Sequence, residues 1–314
     1  MNFDLSEEQQ MIVDSVARFV ADDSPVERFR KLRETELGWE KSVRRSMGER
    51  GWLGVAYPEP QGGFGGGFVD LAIILEQLGR GLVPEPYIAS VVLAGGLISR
   101  FGSAGQVESF LQPMIAGESS LALAYAERQS RYQLADCRMR AQKDGSGWKL
   151  DGEKVWVLNG HAADQIVVAA RTAGEPLDAN GISLFIVDGA AAGLSRLRVP
   201  GMDGQRSAVL RFEGVRVGPD RLLGEAGQGL PRLEWAIDRG AAAACAEGQG
   251  ALQELFERTV AYLKERQQFG VPIGSFQALQ HRAADMYADD EQCRSCMNLA
   301  AIQADTEDAE LRHA

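Results

Sequence analysis

The middle third of this chain constrains its fold most, because the hydrophobic period changes there. Between about residues 118 and 226, short apolar runs stand at 121–125, 148–150, 154–158, 165–170, 183–187 and 208–212. Asp144-Gly145, Asp151-Gly152 and Asn159-Gly160 fall between them. Such dipeptides accept left-handed backbone and close hairpins, so the spacing suits a small antiparallel barrel or sandwich. On both sides the period is helical. Ser6 with Gln9 three residues on makes a capping box ahead of an apolar face of Ile12, Val16, Phe19 and Val20. Residues 70–78 read as a further helix stopped by Gly79 and Gly81, and a long helix is expected over 231–266 with a second from about Phe276. The predicted order is α, β, α: a helical domain over 1–117, a β domain over 118–226 and a helical domain over 227–314.

Composition removes several classes. At 314 residues the chain is long enough for about two domains on the usual prior. Hydrophobic and charged fractions of 45% and 25% are ordinary for a globular protein, no apolar run reaches the roughly 18 residues a spanning helix needs, and no secretory leader is evident. A cytoplasmic protein without membrane insertion is expected. A net charge of −11 argues against nucleic acid, whose affinity comes from neutralised phosphates. The glycines of 61–67 lack the Lys-Ser/Thr of a phosphate-binding loop and read as a connector. Cys293 and Cys296 form a C-x-x-C pair on a helical pattern without histidine partners, so no metal is expected. Leu279, Ala283, Met286, Cys293, Met297 and Ala300 instead follow core spacing, and Cys137 and Cys245 read as reduced, buried or inert.

The junction after the long helix carries more than a turn requires. Gly270, Pro272 and Gly274 suffice to break a helix, yet Arg266, Gln267, Gln268 and Phe269 accompany them. An arginine fork matches phosphate oxygens, and a phenylalanine can stack on a planar ring. A solvated helix end with one buried Phe is the plainer reading of the same residues.

The run Arg266-x-x-Phe269-Gly270-x-x-Ile273-x-x-Phe276-Gln277-x-x-Gln280 resembles the cofactor-binding turn of the acyl-CoA dehydrogenase family. Three further stretches resemble it in order: Phe3-x-Leu5-Ser6-Glu7-Glu8-Gln9, then Gly51-Trp52-Leu53-Gly54-Val55-x-x-Pro58-Glu59-x-x-Gly62-Gly63 with Glu76-Gln77-Leu78-Gly79-Arg80, and Gly152-Glu153-Lys154-x-Trp156-Val157-x-Asn159-Gly160. The resemblance implies a helical bundle split around a β domain, FAD as cofactor and an acyl-CoA substrate. It also implies an electron-transfer flavoprotein or similar acceptor and a homo- or hetero-oligomer, dimer or tetramer. Desaturation removes a proton beside the thioester carbonyl and passes a hydride from the next carbon to the flavin.

By the same resemblance Trp156, Val157 and Leu158 lie along the isoalloxazine, Ala126 starts a flavin-contacting segment, and Arg266, Gln268, Phe269 and Gln277 serve a flavin across subunits. Asp238 matches an acid that contacts pantetheine, with Arg239 beside it, and Tyr132 falls in a substrate-facing segment. The departures are several. Leu158 stands where the family commonly has Thr. Ala126 replaces a hydroxyl, only Glu127 survives of the usual segment, and Arg128 and Arg131 enter there, either toward phosphates or as ordinary loop charges. The base position used by a minority of the family falls on Gly240, which has no side chain, and the arginine common at Ala241 is missing. Glu247 is the one in-chain carboxylate singled out as a candidate base, with a salt bridge or interface contact as the plainer reading. It lies nine residues from Asp238 and so on the opposite helix face. The common base lies in helices beyond Ala314, although Thr306 could cap a last helix over 307–313. These departures resemble the small subunits of heteromeric acyl-CoA or pimeloyl-type dehydrogenases, and a non-catalytic partner subunit is the alternative they imply.

Overall fold

The computed structural model describes residues 5–306, so Phe3 and the helix expected over 307–313 lie outside the described residues. Helices α1 (Glu7–Asp22), α2 (Val26–Leu32), α3 (Lys41–Glu49) and α4 (Phe68–Arg80) open the chain. A π-helical stretch, Ile88–Gly95, runs into α5 (Gly96–Phe101). Then come α6 (Ala104–Gln106), a second π-helical stretch (Val107–Leu111) and α7 (Gln112–Ile115). Strands β1 (Leu121–Ala124), β2 (Arg140–Asp144), β3 (Gly147–Leu158) and β4 (Gln165–Arg171) follow. β5 (Ile182–Asp188), β6 (Leu194–Pro200), β7 (Arg206–Val217) and β8 (Leu222–Leu223) complete the sheet. Helix α8 (Gly229–Glu265) leads through the ribbon β9 (Gln267–Gln268) and β10 (Val271–Pro272) into α9 (Gln277–Asp305). The helix–sheet–helix order is the one the period predicts.

The chain divides into two compact units. One gathers residues up to 29, 66–83 and those from 241 onward; the other holds 30–65 and 84–240. In the first unit the capping box forms as read: the Gln9 amide donates to Ser6 Oγ at 3.1 Å, and the Ser6 amide to Gln9 Oε1 at 3.0 Å. Gly79 lies inside α4 and does not stop it. Its missing side chain lets α8 approach, because a β-carbon there would stand 1.9 Å from the Glu247 carbonyl oxygen. Gly250 on α8 does the same against the Glu76 carbonyl at 1.8 Å, so the two helices cross backbone to backbone. Arg80 bridges Glu254 at 3.0 Å, Arg294 bridges Glu76 at 2.8 Å, and the Asp305 carboxylate caps α4 by accepting the Phe68 amide at 2.5 Å. The buried stripe of α9 is Asp290, Met297, Ala301 and Ala304, whereas Cys293 and Cys296 are exposed. Of the expected core stripe Met297 is buried and Leu279, Ala283, Met286 and Ala300 are half-buried, so only Cys293 departs from it. A buried Asp290, held by Gln249 Nε2 at 2.8 Å, is the member that apolar periodicity cannot anticipate. Cys245 is also exposed, against expectation, on the side of α8 away from its buried alanines.

The second unit is built on an eight-stranded sheet in the order β6-β7-β3-β2-β4-β5-β8, with β1 pairing parallel to β4. It is mostly antiparallel, and its path ends at β6 and β8, so of the expected barrel or sandwich the closed barrel is not formed. Strands β4 and β5 are buried along almost their whole length, which marks the core. Charge hid two strands from the periodicity. β2 exposes four of its five residues, and β6 is an edge carrying Arg196 and Arg198. The Gly51–Gly54 motif proves to be packing: Trp52 and Leu53 are buried, and Tyr87 Oη donates to the Trp52 carbonyl at 2.6 Å. Ser90 Oγ ties the π-helical stretch to β1 by donating to the Leu121 carbonyl at 2.9 Å and accepting its amide at 3.0 Å.

Candidate active site

Asp144-Gly145 closes the β2–β3 hairpin, as its chemistry predicts, with Asp144 paired to Gly147 and Gly145 at φ +59°. The runs 148–150 and 154–158, by contrast, belong to one strand. Asp151-Gly152 makes no turn between them, because the register against β7 shifts there and Gly152 absorbs the irregularity at φ +148°. A second irregularity follows at once. Lys154 pairs with Leu210 and Val157 with Ala208, so three steps on β3 match two on β7 and one residue is extra.

That bulge re-aims Trp156. Strict alternation would put Lys154 and Trp156 on one face, yet Lys154 is fully buried while Trp156 is 65% exposed. The change comes between Lys154 and Val155, which are buried in succession. Trp156 itself takes φ +53°, a left-handed conformation that a bulky residue seldom adopts and that costs of order 1–3 kcal/mol. Beside it Leu158 is 45% exposed, while the Val157 side chain is in the core, so any outward contact from Val157 is by its backbone. Ala126, half-buried, adjoins the bulge through its carbonyl, which accepts the Val155 amide at 2.9 Å. The structure thus makes an exposed ledge of Trp156 and Leu158, with half-buried Ala126 adjoining it at Val155.

Behind the ledge lies a buried ionic cluster. Lys154 Nζ donates to Glu127 Oε1 at 2.7 Å and to the Tyr125 carbonyl at 3.0 Å, with Cys137 Sγ at 3.7 Å. The Glu127 carboxylate also accepts the amides of Arg138 at 2.9 Å and Met139 at 3.0 Å, and Gln129 Nε2 at 2.8 Å. Burial alone would raise the Glu127 pKa; the charge and hydrogen bond of Lys154, with the hydrogen bonds from Gln129 and the Met139 amide, together outweigh it and hold the carboxyl below its ordinary value. Burial pushes the Cys137 thiol up, which keeps it protonated. The pair escapes sequence reading, because its members stand 27 positions apart. The connecting loop turns outward: Tyr132 is 99% exposed, Arg131 has φ +47°, and Arg128 Nε pairs with Glu153 at 2.5 Å.

On α8, Asp238 and Arg239 are half-buried, and the Arg239 guanidinium lies 4.2 Å from the Trp235 ring centroid. A β-carbon at Gly240 would meet Leu93 Cδ2 at 2.6 Å, so the leucine fills the space a side chain there would need. Glu247 belongs to the other unit, in the α4–α8 crossing. Arg266, Gln268, Phe269 and Gln277 are also in that unit, all exposed. The turn is a two-residue hairpin: Gln268 pairs with Val271, and Phe269 and Gly270 both have positive φ, +55° and +85°. The Arg266 carbonyl accepts the Ile273 amide at 2.8 Å, and Phe269, 93% exposed, meets only the edge of Phe276 at 6.1 Å. Phe269 is therefore not the buried phenylalanine of the plainer reading. Among the described residues no cluster of three His, Cys, Asp or Glu could hold a metal ion, and no helix is long and apolar enough to cross a membrane.

Comparison with known proteins finds relatives along nearly the whole chain. The acyl-CoA dehydrogenase N-terminal, middle and C-terminal domain families match residues 6–118, 122–215 and 227–314. A probable acyl-CoA dehydrogenase of Bacillus subtilis, YngJ, is 30% identical over 96% of this chain and 80% of its own length. Among solved structures, the ChsE4–ChsE5 complex from Mycobacterium tuberculosis superposes with TM-score 0.87 at 28% identity, covering 98% of this chain and 80% of that one. The FAD complex of PigA superposes with TM-score 0.91 at 25% identity, covering 99% and 82%. Three successive domain matches and relatives of this similarity leave one conclusion: the chain belongs to the acyl-CoA dehydrogenase family.

Proposed function

We propose that this chain is a subunit of an FAD-dependent acyl-CoA dehydrogenase that desaturates an acyl-CoA thioester, with the ledge of Trp156 and Leu158, and Ala126 beside it, as its flavin wall. The observation that carries this is Trp156, a large aromatic held in left-handed backbone and exposed to solvent. Such strain clusters at active sites and ligand clamps, and an exposed indole offers a flat face on which a planar ring can stack. Bound there, FAD supplies the acceptor for the hydride leaving the substrate's β-carbon.

The chain's own residues would act as follows. The Trp156 ring packs on the cofactor's ring system and excludes water from one side. Leu158 and Ala126 add apolar contact but no hydrogen bond, so orientation depends on backbone groups and on Trp156. Arg266 reaches a phosphate of a flavin bound mainly by a neighbouring subunit, with Gln268, Phe269 and Gln277 around it; their full exposure in a single chain supports this reading. Asp238, Arg239 and Tyr132 are assigned to the substrate's coenzyme portion. An electron-transfer flavoprotein is the acceptor in this reading.

No carboxylate of this chain is assigned as base, because Leu93 occupies the space at Gly240 and Glu247 sits at a helix crossing. This leaves the base to residues outside this sequence or to a partner subunit, and the resemblance to the ChsE4–ChsE5 complex supports the partner reading. The test is acyl-CoA-dependent dye reduction by the chain alone and with a co-expressed larger subunit. Turnover only with the partner is the expected result. Robust turnover alone that vanishes in Glu247→Gln would make Glu247 the base and overturn this assignment.

A further inference from the structure

We infer that the buried Lys154–Glu127 pair is the positioning device of the flavin wall, holding Trp156 outward and the loop of residues 126–139 closed behind it. This rests on the reading of Trp156 as the flavin platform. Three separate stretches meet at the pair. Through Tyr125 and Glu127 it grips the end of β1; through the amides of Arg138 and Met139 it grips the far end of the loop; through Lys154 itself it grips β3 at the bulge. Ala126 and Trp156 are one residue and two residues from its members.

A pair needed only for folding has no reason to sit at this point. Two buried charges are costly to desolvate, and well-packed apolar residues usually serve stability as well or better. What apolar residues cannot do is accept two backbone amides and a side-chain amide at once. Glu127 does this through both of its carboxylate oxygens, closing a loop with no regular secondary structure. Lys154 neutralises that carboxylate and, fully buried itself, fixes the phase of β3 just before the strand must give Trp156 its left-handed turn. The wall is thereby built before any cofactor arrives, so binding need not order it.

The experiment compares the full chain with three variants, Lys154→Met, Glu127→Gln and the double Lys154→Met/Glu127→Leu, all at a temperature where each is folded by circular dichroism. Two quantities are read: amide hydrogen exchange over 126–139 and 154–158 before FAD is added, and the Kd for FAD. Each single variant is expected to lose protection in both segments and to weaken FAD about tenfold or more. The double variant should regain the thermal midpoint, because no unpaired charge remains, yet keep the loose loop and weak FAD binding. A purely structural pair predicts the opposite: restored midpoint, restored protection and restored affinity together, which would overturn the inference. Unchanged protection and FAD affinity in Lys154→Met would overturn it as well. If neither the wild-type chain nor its complex with a co-expressed larger subunit takes up FAD, the flavin reading fails separately, and the exchange data still decide whether the pair positions Trp156.

Discussion

The two halves of the proposed cofactor site are built in opposite ways. The Trp156 ledge is backed by interior chemistry, with a fully buried lysine, a carboxylate with four donors and a bulged strand in the middle of a sheet. The turn carrying Arg266 and Phe269 has no interior behind it. Two short strands, two left-handed residues, one edge-on aromatic contact and local hydrogen bonds such as that from the Ile273 amide to the Arg266 carbonyl hold it, and its candidate cofactor-binding side chains are exposed. A surface that the fold must keep in one strained shape is anchored from within. A surface whose ligand belongs to a neighbour needs only a stiff hairpin to carry it.

The largest effect expected from this contrast is on the ledge. Lys154→Met leaves the Glu127 carboxylate buried without its cation and should cost about 3–5 kcal/mol in denaturant unfolding. A loss below about 1 kcal/mol would mean the ledge is no better anchored than the turn. The pair also sets an acid limit. Glu127 has a lowered pKa in the folded state, so its stabilisation is complete above the ordinary glutamate value of roughly 4.3 and disappears as pH falls through the lower folded value. An acid unfolding curve for Glu127→Gln should be flatter across that range.

Arg266→Ala should reverse the pattern. Folding stability should stay within about 0.5 kcal/mol of wild type, as for other surface changes, while flavin retention in the assembled protein falls by roughly one to two decades. Unchanged retention would remove the turn from the site.

Gly240→Ala pushes a β-carbon against Leu93 Cδ2 and should cost about 1–3 kcal/mol, and combined with Leu93→Ala it should cost clearly less than the sum of the two single changes. A neutral single variant would reopen that position to a catalytic side chain. Smaller again is Trp156→Gly, which removes a left-handed strain and should leave stability unchanged or raised by about 1 kcal/mol while flavin affinity drops. The smallest expected change concerns His161, whose Nε2 meets the Leu37 carbonyl at 2.8 Å. Burial lowers its pKa, and the nearby arginines Arg206, Arg198 and Arg196 add to this against the raising effect of that hydrogen bond. Its contribution is therefore present above the ordinary histidine value of roughly 6.5 and lost as pH falls through the lower folded value. His161→Gln should reduce the slope of stability against pH in that interval.

What the sequence disclosed follows the same division. Elements whose packing repeats with a simple period were legible: the face of Val16 and Phe19, the runs that became β4 and β5, and the long helix α8. Residues whose place depends on a break in period were not. Asp151-Gly152 carries the chemistry of a hairpin yet sits in a continuous strand, because Gly152 absorbs a register shift where a β-carbon would stand 2.7 Å from Met139 Cγ. Gly79 has the look of a helix stop but is a contact surface, which only its partner helix reveals. Trp156 was recognised through its motif; its exposure was not predictable, since alternation pairs it with the buried Lys154. The Glu127–Lys154 partnership spans 27 positions and leaves no local trace.

The left-handed backbone at Trp156 also bears on how this chain can change through mutation. Tryptophan has a single codon, UGG, and one base change converts it to GGG, for glycine. Glycine is the residue that conformation accepts most readily. Mutational access and backbone preference thus point the same way, from the indole to a bare backbone. Drift has a one-step exit at residue 156 that relieves strain, and what opposes that exit is whatever the exposed face of the indole does.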